Sequence, residues 1–191
     1  PYQFTYSING EGAQTVSSAT NLATITVPTN NAGIFVYELQ EVSDQFGCEN
    51  SLTSQATIQI FDSPDVNLSS PTDICKNDAN QLLIFRGVNG RAPYAFSYKF
   101  NNGPVQTLNS NGSGLGVIII PTGTEGILNY QVTHVIDANG CEQDVNVQHE
   151  VTIRELPTAT ILGGIGVCQN ETPPQVVFLG TNGIPPFTFT Y

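Results

Sequence analysis

Hydrophobic and small polar residues alternate with a period of two along much of the chain. The clearest case is Tyr94-Ala95-Phe96-Ser97-Tyr98-Lys99-Phe100, where aromatic residues alternate with small or charged ones. This period is that of a β-strand with one buried face. We therefore predict a strand over 93–101 with Tyr94, Phe96 and Tyr98 in a core. The alternative is an exposed aromatic platform for sugar or single-stranded nucleic acid.

Turn residues, chiefly Gly, Pro and Asn, separate this strand from others of similar length. No segment has a convincing helical pattern. Between residues 64 and 156 the pattern predicts strands at 65–69, 73–76, 81–88, 93–101, 105–109, 115–120 and 127–137, and a last strand at 144–154. The first two can be counted as one broken edge strand.

The pattern recurs along the chain with a step of about 93 residues. Pro1-Tyr2-Gln3-Phe4-Thr5-Tyr6 returns as Pro93-Tyr94-Ala95-Phe96-Ser97-Tyr98 and again as Pro186-Phe187-Thr188-Phe189-Thr190-Tyr191. Tyr37 returns as Tyr130. This step is too long for a solenoid unit and suits a β-sandwich domain of roughly 100 residues.

Prolines mark the expected junctions between repeats, because a strand ends there in a residue that cannot donate to a ladder. With junctions at Pro64 and Pro157, residues 1–63 are the C-terminal two-thirds of one repeat. Residues 64–156 form a complete repeat, and 157–191 form the N-terminal third of the next. The predicted fold class is all-β, with tandem β-sandwich domains of about 93 residues arranged as beads on a string. Neighbouring repeats of the same chain are the first expected partners.

Tyr130 lies in a long, mostly apolar predicted strand and is expected to be a core aromatic. Its place resembles the tyrosine corner of Greek-key sandwiches, where the hydroxyl ties a loop to the sheet. The spacing departs from the usual pattern.

The segment Asp137-Ala138-Asn139-Gly140 predicts a hairpin turn, since Asn-Gly takes the positive φ angles that a tight turn needs. A Ca²⁺ site is the alternative, because hard cations bind several oxygens within one loop. Its ligands would be Asp137, Asn139, Glu142 and Asp144. The matching stretch from Asp44 lacks two of these oxygens, so we expect no resident metal or other cofactor.

The four cysteines, Cys48, Cys75, Cys141 and Cys168, occupy two repeat positions and include no C-x-x-C motif. Two cysteines per repeat in a loop-rich β protein predict structural disulfides and an oxidising, extracytoplasmic location. The simplest bond joins Cys75 to Cys141, with Cys48 and Cys168 pairing outside residues 1–191. In an immunoglobulin-like strand order the two positions could fall at opposite ends of the sandwich, and the cysteines would then link neighbouring repeats at a junction.

Catalytic chemistry has little support in the sequence. The only histidines, His134 and His149, lie in predicted strands, and His134 corresponds to Glu41 in the first repeat. A nucleophilic triad needs a base beside its nucleophile, and no glycine-rich loop precedes a helix. We expect no enzyme within these residues.

Charge and hydropathy exclude further classes. Five Lys and Arg against 16 Asp and Glu give a net charge of −11, which opposes contact with a phosphate backbone. The chain has no apolar run long enough for a membrane span and no signal-peptide pattern at its start. We expect no nucleic-acid partner and no membrane insertion in these residues.

Three blocks carry a family resemblance: Pro-Thr-Ala-Thr-Ile…Val-Cys-Gln-Asn at 157–170, Pro-Tyr-x-Phe-x-Tyr at 93–98 and Asp-x-Asn-Gly-Cys at 137–141. Together they resemble the PKD-like or immunoglobulin-like repeats of giant surface proteins in Bacteroidetes-type bacteria, which include gliding-motility adhesins of the SprB type. The Trp-Asp-Phe-Gly-Asp-Gly-like signature of well-known PKD domains is absent. The resemblance implies export by the type IX system, anchoring at the cell surface, and a mechanical or adhesive role.

The expected function is therefore structural: a segment of an extended stalk or filament of a secreted or cell-surface bacterial adhesin, used for surface attachment or gliding motility. Surface glycans and other copies of the filament are possible partners. The alternative is a carbohydrate-binding or spacer module of a secreted multidomain enzyme. A binding module would use tip loops such as Asn101-Asn102-Gly103 and 109–114.

Overall fold

The computed structural model describes all 191 residues and is all-β. The chain divides into two compact units, Pro1–Ser63 and Pro64–Tyr191. The strands are β1 (Tyr2–Ile8), β2 (Gln14–Ser18), β3 (Gly33–Asp44), β4 (Glu49–Ile60), β5 (Asp65–Ser69), β6 (Asp73–Cys75), β7 (Leu82–Val88), β8 (Ala95–Phe100), β9 (Val105–Asn109), β10 (Leu115–Ile119), β11 (Gly126–Ile136), β12 (Glu142–Arg154), β13 (Thr158–Leu162) and β14 (Val177–Thr181).

Residues 64–156 fold as an immunoglobulin-like β-sandwich. One sheet has the order β10-β7-β5 and the other the order β6-β12-β11-β8-β9. The core draws buried side chains from both sheets: Val66, Ile74, Leu83, Phe85, Tyr94, Phe96, Tyr98, Ile120, Tyr130, Val132, Val135, Val151 and Ile153. The predicted all-β sandwich is confirmed, and all eight strands predicted for 64–156 form within about two residues of their expected bounds.

The first edge strand is broken, as the sequence indicates, and its two halves join different sheets. β5 pairs antiparallel with β7, whereas β6 pairs parallel with the end of β12. Pro71 lies in the break and cannot donate to a ladder. The break places β6, which ends at Cys75, beside Arg154.

β8 supplies the centre of the core. Phe96 is completely buried, with its ring centroid 5.7 Å from that of Phe85 and 5.9 Å from that of Tyr94. When β5 and β6 are counted as one strand, β8 is the third strand of the sandwich. It therefore provides the buried aromatic that immunoglobulin domains place there.

Strand positions recur with the 93-residue step. β3 begins at Gly33 and β11 at Gly126, and each has a bulge at the same place, after Leu39 and after Val132. The first unit is a single four-stranded sheet of order β2-β1-β3-β4. These strands correspond to β9, β8, β11 and β12. Beyond residue 156, β13 and β14 pair antiparallel, as the corresponding strands β5 and β7 do.

Candidate functional site

The chemically distinctive groups of the complete repeat lie at its two ends. We call the end where the repeat begins, at Asp65, the N-terminal pole; it also carries the turn 137–141. We call the end where β12 finishes, at Arg154, the C-terminal pole. β12 runs the length of the sandwich between them.

The turn at the N-terminal pole is built around the carboxylate of Asp137. Its Oδ1 accepts hydrogen bonds from the backbone N–H groups of Asn139 and Cys141, both at 2.9 Å. Its Oδ2 accepts one from the backbone N–H of Arg91 at 2.8 Å, and the Arg91 carbonyl accepts one from Ala138 N–H at 2.8 Å. The turn is thus fastened to the loop that precedes β8.

The predicted hairpin forms, but Asn139 does not adopt positive φ. Gly140 alone does so, at 81°, and Gly47 matches it in the first unit. Asp44 Oδ1 likewise accepts from Phe46 N–H at 2.8 Å and Cys48 N–H at 3.0 Å. Because only the glycine needs the left-handed conformation, the position before it can be Asn or Phe.

The four candidate Ca²⁺ ligands do not converge. Asp137 is occupied by backbone N–H groups, and Asn139 donates its side-chain amide to Asp137 at 3.3 Å. Glu142 and Asp144 face His134 instead, with His134 Nε2 3.5 Å from Glu142 Oε2 and Nδ1 2.8 Å from Asp144 Oδ1. The carboxylates are thus held by separate partners, which does not suit a shared cation.

The disulfide between Cys75 and Cys141 does not form. All four cysteines are free, and Cys75 pairs in register with Arg154, whereas Cys141 immediately precedes Glu142. The two cysteines therefore lie at opposite ends of the 13-residue strand β12, about 40 Å apart at the rise of a β-strand. Bridged cysteines need Cα atoms within about 7 Å, so this fold excludes the bond within one repeat.

An open cavity of about 630 Å³ lies at the C-terminal pole. One wall comes from residues 64–156, including Cys75 and Arg154, and the other comes from residues 157–191, including Ile184 and Phe187. All of these residues belong to the second compact unit.

Ion pairs surround this pole. Arg154 pairs with Asp73, and Lys76 pairs with Glu125. The hydrogen bond between Lys76 and Glu125 raises the pKa of Lys76 and lowers the pKa of Glu125 from their ordinary values. Both pairs are partly exposed to solvent, so their contribution to stability is small.

A serine and a histidine form a contact that the sequence pattern does not predict. Ser70 Oγ and His149 Nε2 lie 2.8 Å apart, where the edge strand breaks between β5 and β6. The two residues are 79 positions apart, so only the topology brings them together. Ser70 also donates to the carbonyl of Pro71 at 3.0 Å. The contact fastens the broken edge strand to β12.

Tyr130 is buried, but it does not act as a tyrosine corner. Its hydroxyl has no hydrogen-bond partner, and burial raises its pKa to about 12. Tyr94 provides a comparable tie instead, since its hydroxyl donates to the carbonyl of Asn89. Burial also raises the pKa values of Tyr94 and Tyr98.

In the loops proposed for sugar binding, asparagine side chains form hydrogen bonds with backbone groups of the protein itself. Asn101 Oδ1 accepts from Asn129 N–H at 2.8 Å, and Asn111 Oδ1 accepts from the N–H groups of Ser113 and Leu115 at 2.9 and 3.0 Å. Every aromatic side chain in 64–156 is buried except Phe100, which is half-buried. The complete repeat therefore presents no exposed aromatic face on which a sugar ring would stack.

The chain has a distant likeness to a known protein. No family model matches the chain. Nucleoporin POM152 of Saccharomyces cerevisiae is 27% identical over 169 residues, which cover 80% of this chain and 12% of the nucleoporin. The chain thus spans about one-eighth of the length of that relative. No helix has the length and hydropathy needed to cross a membrane.

Proposed function

We propose that this chain is a structural repeat segment of a large secreted or cell-surface bacterial adhesin, forming part of an extended stalk or filament for surface attachment or gliding motility. The proposal combines the resemblance of the repeated blocks to surface-adhesin repeats with the immunoglobulin-like sandwich. Its partners would be neighbouring repeats of the same chain. Surface glycans and other copies of the filament would be further partners.

One observation carries the structural role: the side chains that recur between repeats serve the fold. The repeated aromatic positions of β8 are buried, and the repeated Asp-x-x-Gly-Cys turns use their aspartates to hold backbone N–H groups. Recurrence of this kind preserves a scaffold. These repeated positions are aromatic core residues and turn residues, and they include no set of catalytic side chains.

A carbohydrate-binding module is less well supported. Such a site needs exposed aromatic or convergent polar groups, whereas the aromatic groups of 64–156 pack into the core. Isothermal titration against a glycan panel separates the two functions. Sugar binding that mapped to 101–103 or 109–114 would favour the binding module.

The likeness to a nucleoporin favours a second structural candidate. In it, the repeats belong to a large assembly that is not an adhesin, and the chain is a spacer within that assembly. The likeness covers 12% of the nucleoporin at 27% identity, and it assigns no location to this chain.

Location and adhesion are tested in the source organism. Antibodies against residues 64–156 should label intact, unpermeabilised cells, and external protease should remove the label. Deletion of the repeat segment should reduce attachment or gliding. Label that appears only after permeabilisation would contradict the adhesin and favour an internal assembly.

A further inference from the structure

The two cysteine positions of a repeat lie at opposite poles. Cys75 ends β6 at the C-terminal pole, where the chain leaves for the next repeat. Cys141 closes the turn at the N-terminal pole. A cysteine at one pole of a repeat can therefore reach only the adjacent repeat that lies against that pole.

The cavity at the C-terminal pole identifies that neighbour. Cys75 and Ile184 both line it. Ile184 stands 93 residues after Arg91, the residue that fastens the Asp137–Cys141 turn through two hydrogen bonds of 2.8 Å. The corresponding turn of the following repeat would be fastened to Ile184 through the same backbone groups. Its cysteine would then enter the cavity that Cys75 lines.

The glycine before this residue supports the same placement. A Cβ on Gly90 would lie 2.6 Å from Asp137 Oδ2, so the turn packs directly against that glycine. Gly183 occupies the equivalent position, has a similar positive φ of 72°, and also lines the cavity. The receiving surface for the turn is thus already formed beside Cys75.

We propose that the cysteine at the Cys75 position of each repeat forms a disulfide with the cysteine at the Cys141 position of the following repeat. Cys75 pairs with the cysteine 93 residues beyond Cys141. Cys141 in turn pairs with the cysteine 93 residues before Cys75. By this rule no two of the four cysteines in residues 1–191 are partners. The inference depends on the repeats continuing, as the proposed function requires.

The bond forms by thiol–disulfide exchange. The two thiols lose two protons and two electrons as their sulfurs join, and the electrons reduce a disulfide oxidant such as oxidised glutathione or a thiol oxidoreductase to two thiols. Cys75 is exposed and Cys141 is half-buried, so both positions are open to exchange before the junction closes.

Stapled junctions would change how the array carries force. A tensile force applied at Cys141 would be carried by the 27 residues that lead to Cys168. It would then cross a disulfide into the repeat that follows the one beginning at Pro157. These 27 residues span at most about 90–97 Å when fully extended, and the rest of two repeats is bypassed. An oxidised array would therefore be nearly inextensible, whereas a reduced one would release about 30 nm for each unfolded repeat.

Peptide mapping of the full-length natural chain tests the connectivity. The purified chain is reduced, reoxidised in glutathione buffer, alkylated and digested without reduction. We expect the Cys75 peptide to be joined to the Asp-x-x-Gly-Cys turn of the following repeat. A bond from Cys75 to Cys141, or a free Cys75 thiol after reoxidation, would overturn the proposal. The redox state of the cysteines when the chain is isolated tests the proposed extracellular location separately. A chain whose cysteines are reduced in the cell can still form the proposed disulfides in glutathione buffer.

A single substitution distinguishes the two connectivities. In the full-length chain, Cys75→Ser should expose one new thiol, in the turn of the following repeat, and leave Cys141 protected from alkylation. Exposure of Cys141 would mean that the bond lies within one repeat. The 191-residue chain, treated in the same glutathione buffer, should show no link between Cys75 and Cys141, and such a link would also refute the proposal.

Discussion

Gly87 lies directly beneath the ring of Tyr94. A Cβ at Gly87 would be 2.3 Å from both Cδ2 and Cε2 of that ring, far inside van der Waals contact. The same relationship recurs 93 residues later, where a Cβ at Gly180 would be 2.7 Å from Cδ2 of Phe187. The pair fixes how closely β7 approaches the aromatic strand.

Gly87→Ala should therefore destabilise the repeat by about 1–3 kcal/mol, because the buried ring must move to admit a methyl group. Gly112→Ala is the matched control, since that glycine has open space around it and no positive φ. It should change the free energy of unfolding by less than about 0.5 kcal/mol. Urea unfolding measures both variants, and equal stability of the two would disprove the close packing.

Phe96→Ala should cost about 3–5 kcal/mol, because it leaves a cavity between two aromatic rings. Leu83 and Leu82 provide a matched pair on one strand, since Leu83 is fully buried and Leu82 is 40% exposed. Leu83→Ala should cost about 2–5 kcal/mol, with a clearly smaller loss for Leu82→Ala. A loss below about 1 kcal/mol for Phe96→Ala would place the aromatic face in solvent.

Tyr130→Phe should leave stability at pH 7 unchanged or slightly higher, because it removes a buried hydroxyl that has no partner. Tyr98→Phe is the contrasting variant. The Tyr98 hydroxyl donates to Gln106 Oε1 at 2.9 Å, so its loss should cost about 0.5–1.5 kcal/mol. Chemical unfolding of the two variants should give changes that differ in this way, and a larger loss for Tyr130→Phe would mean that its hydroxyl is bonded.

Alkaline pH should destabilise the complete repeat. The folded state raises the pKa of Tyr130 to about 12, so it holds this proton more tightly than the unfolded chain, whose tyrosines titrate near 10. The stabilisation is complete below about pH 10 and is lost as the pH rises from there towards 12, by up to about 1.4 kcal/mol per pH unit for each such tyrosine. Unfolding free energies measured between pH 8 and 11 should fall less steeply for Tyr130→Phe than for the natural sequence.

Asp137→Ala should cost at least about 2 kcal/mol, because the N–H groups of Arg91, Asn139 and Cys141 lose a charged acceptor. Asp144→Ala is the control at a carboxylate that is 94% exposed and contacts His134. It should cost less than about 1 kcal/mol. Thermal unfolding compares the two variants, and similar effects would refute the structural role of the buried carboxylate.

Residues 64–156 expressed alone should fold cooperatively, because every core residue lies between Val66 and Ile153. Calorimetric and van't Hoff enthalpies of unfolding should agree. A broad transition without such agreement would mean that adjacent repeats share a core.

The amino-acid sequence alone predicts the period of 93 residues, the strand positions and the buried aromatic face of β8. These features depend on local alternation and on turn residues, which a single chain displays directly. It also determined the turn of 137–141, whose Gly140 must adopt positive φ.

Which side chains meet depends on the tertiary structure. It separated Cys75 from Cys141 by the length of β12, joined Ser70 to His149, and left the Tyr130 hydroxyl unpaired. Each outcome depends on which strands are neighbours and in what register, including the parallel pairing of β6 with β12. Side-chain alternation specifies the buried face of a strand but leaves its partner and its end of the sheet open.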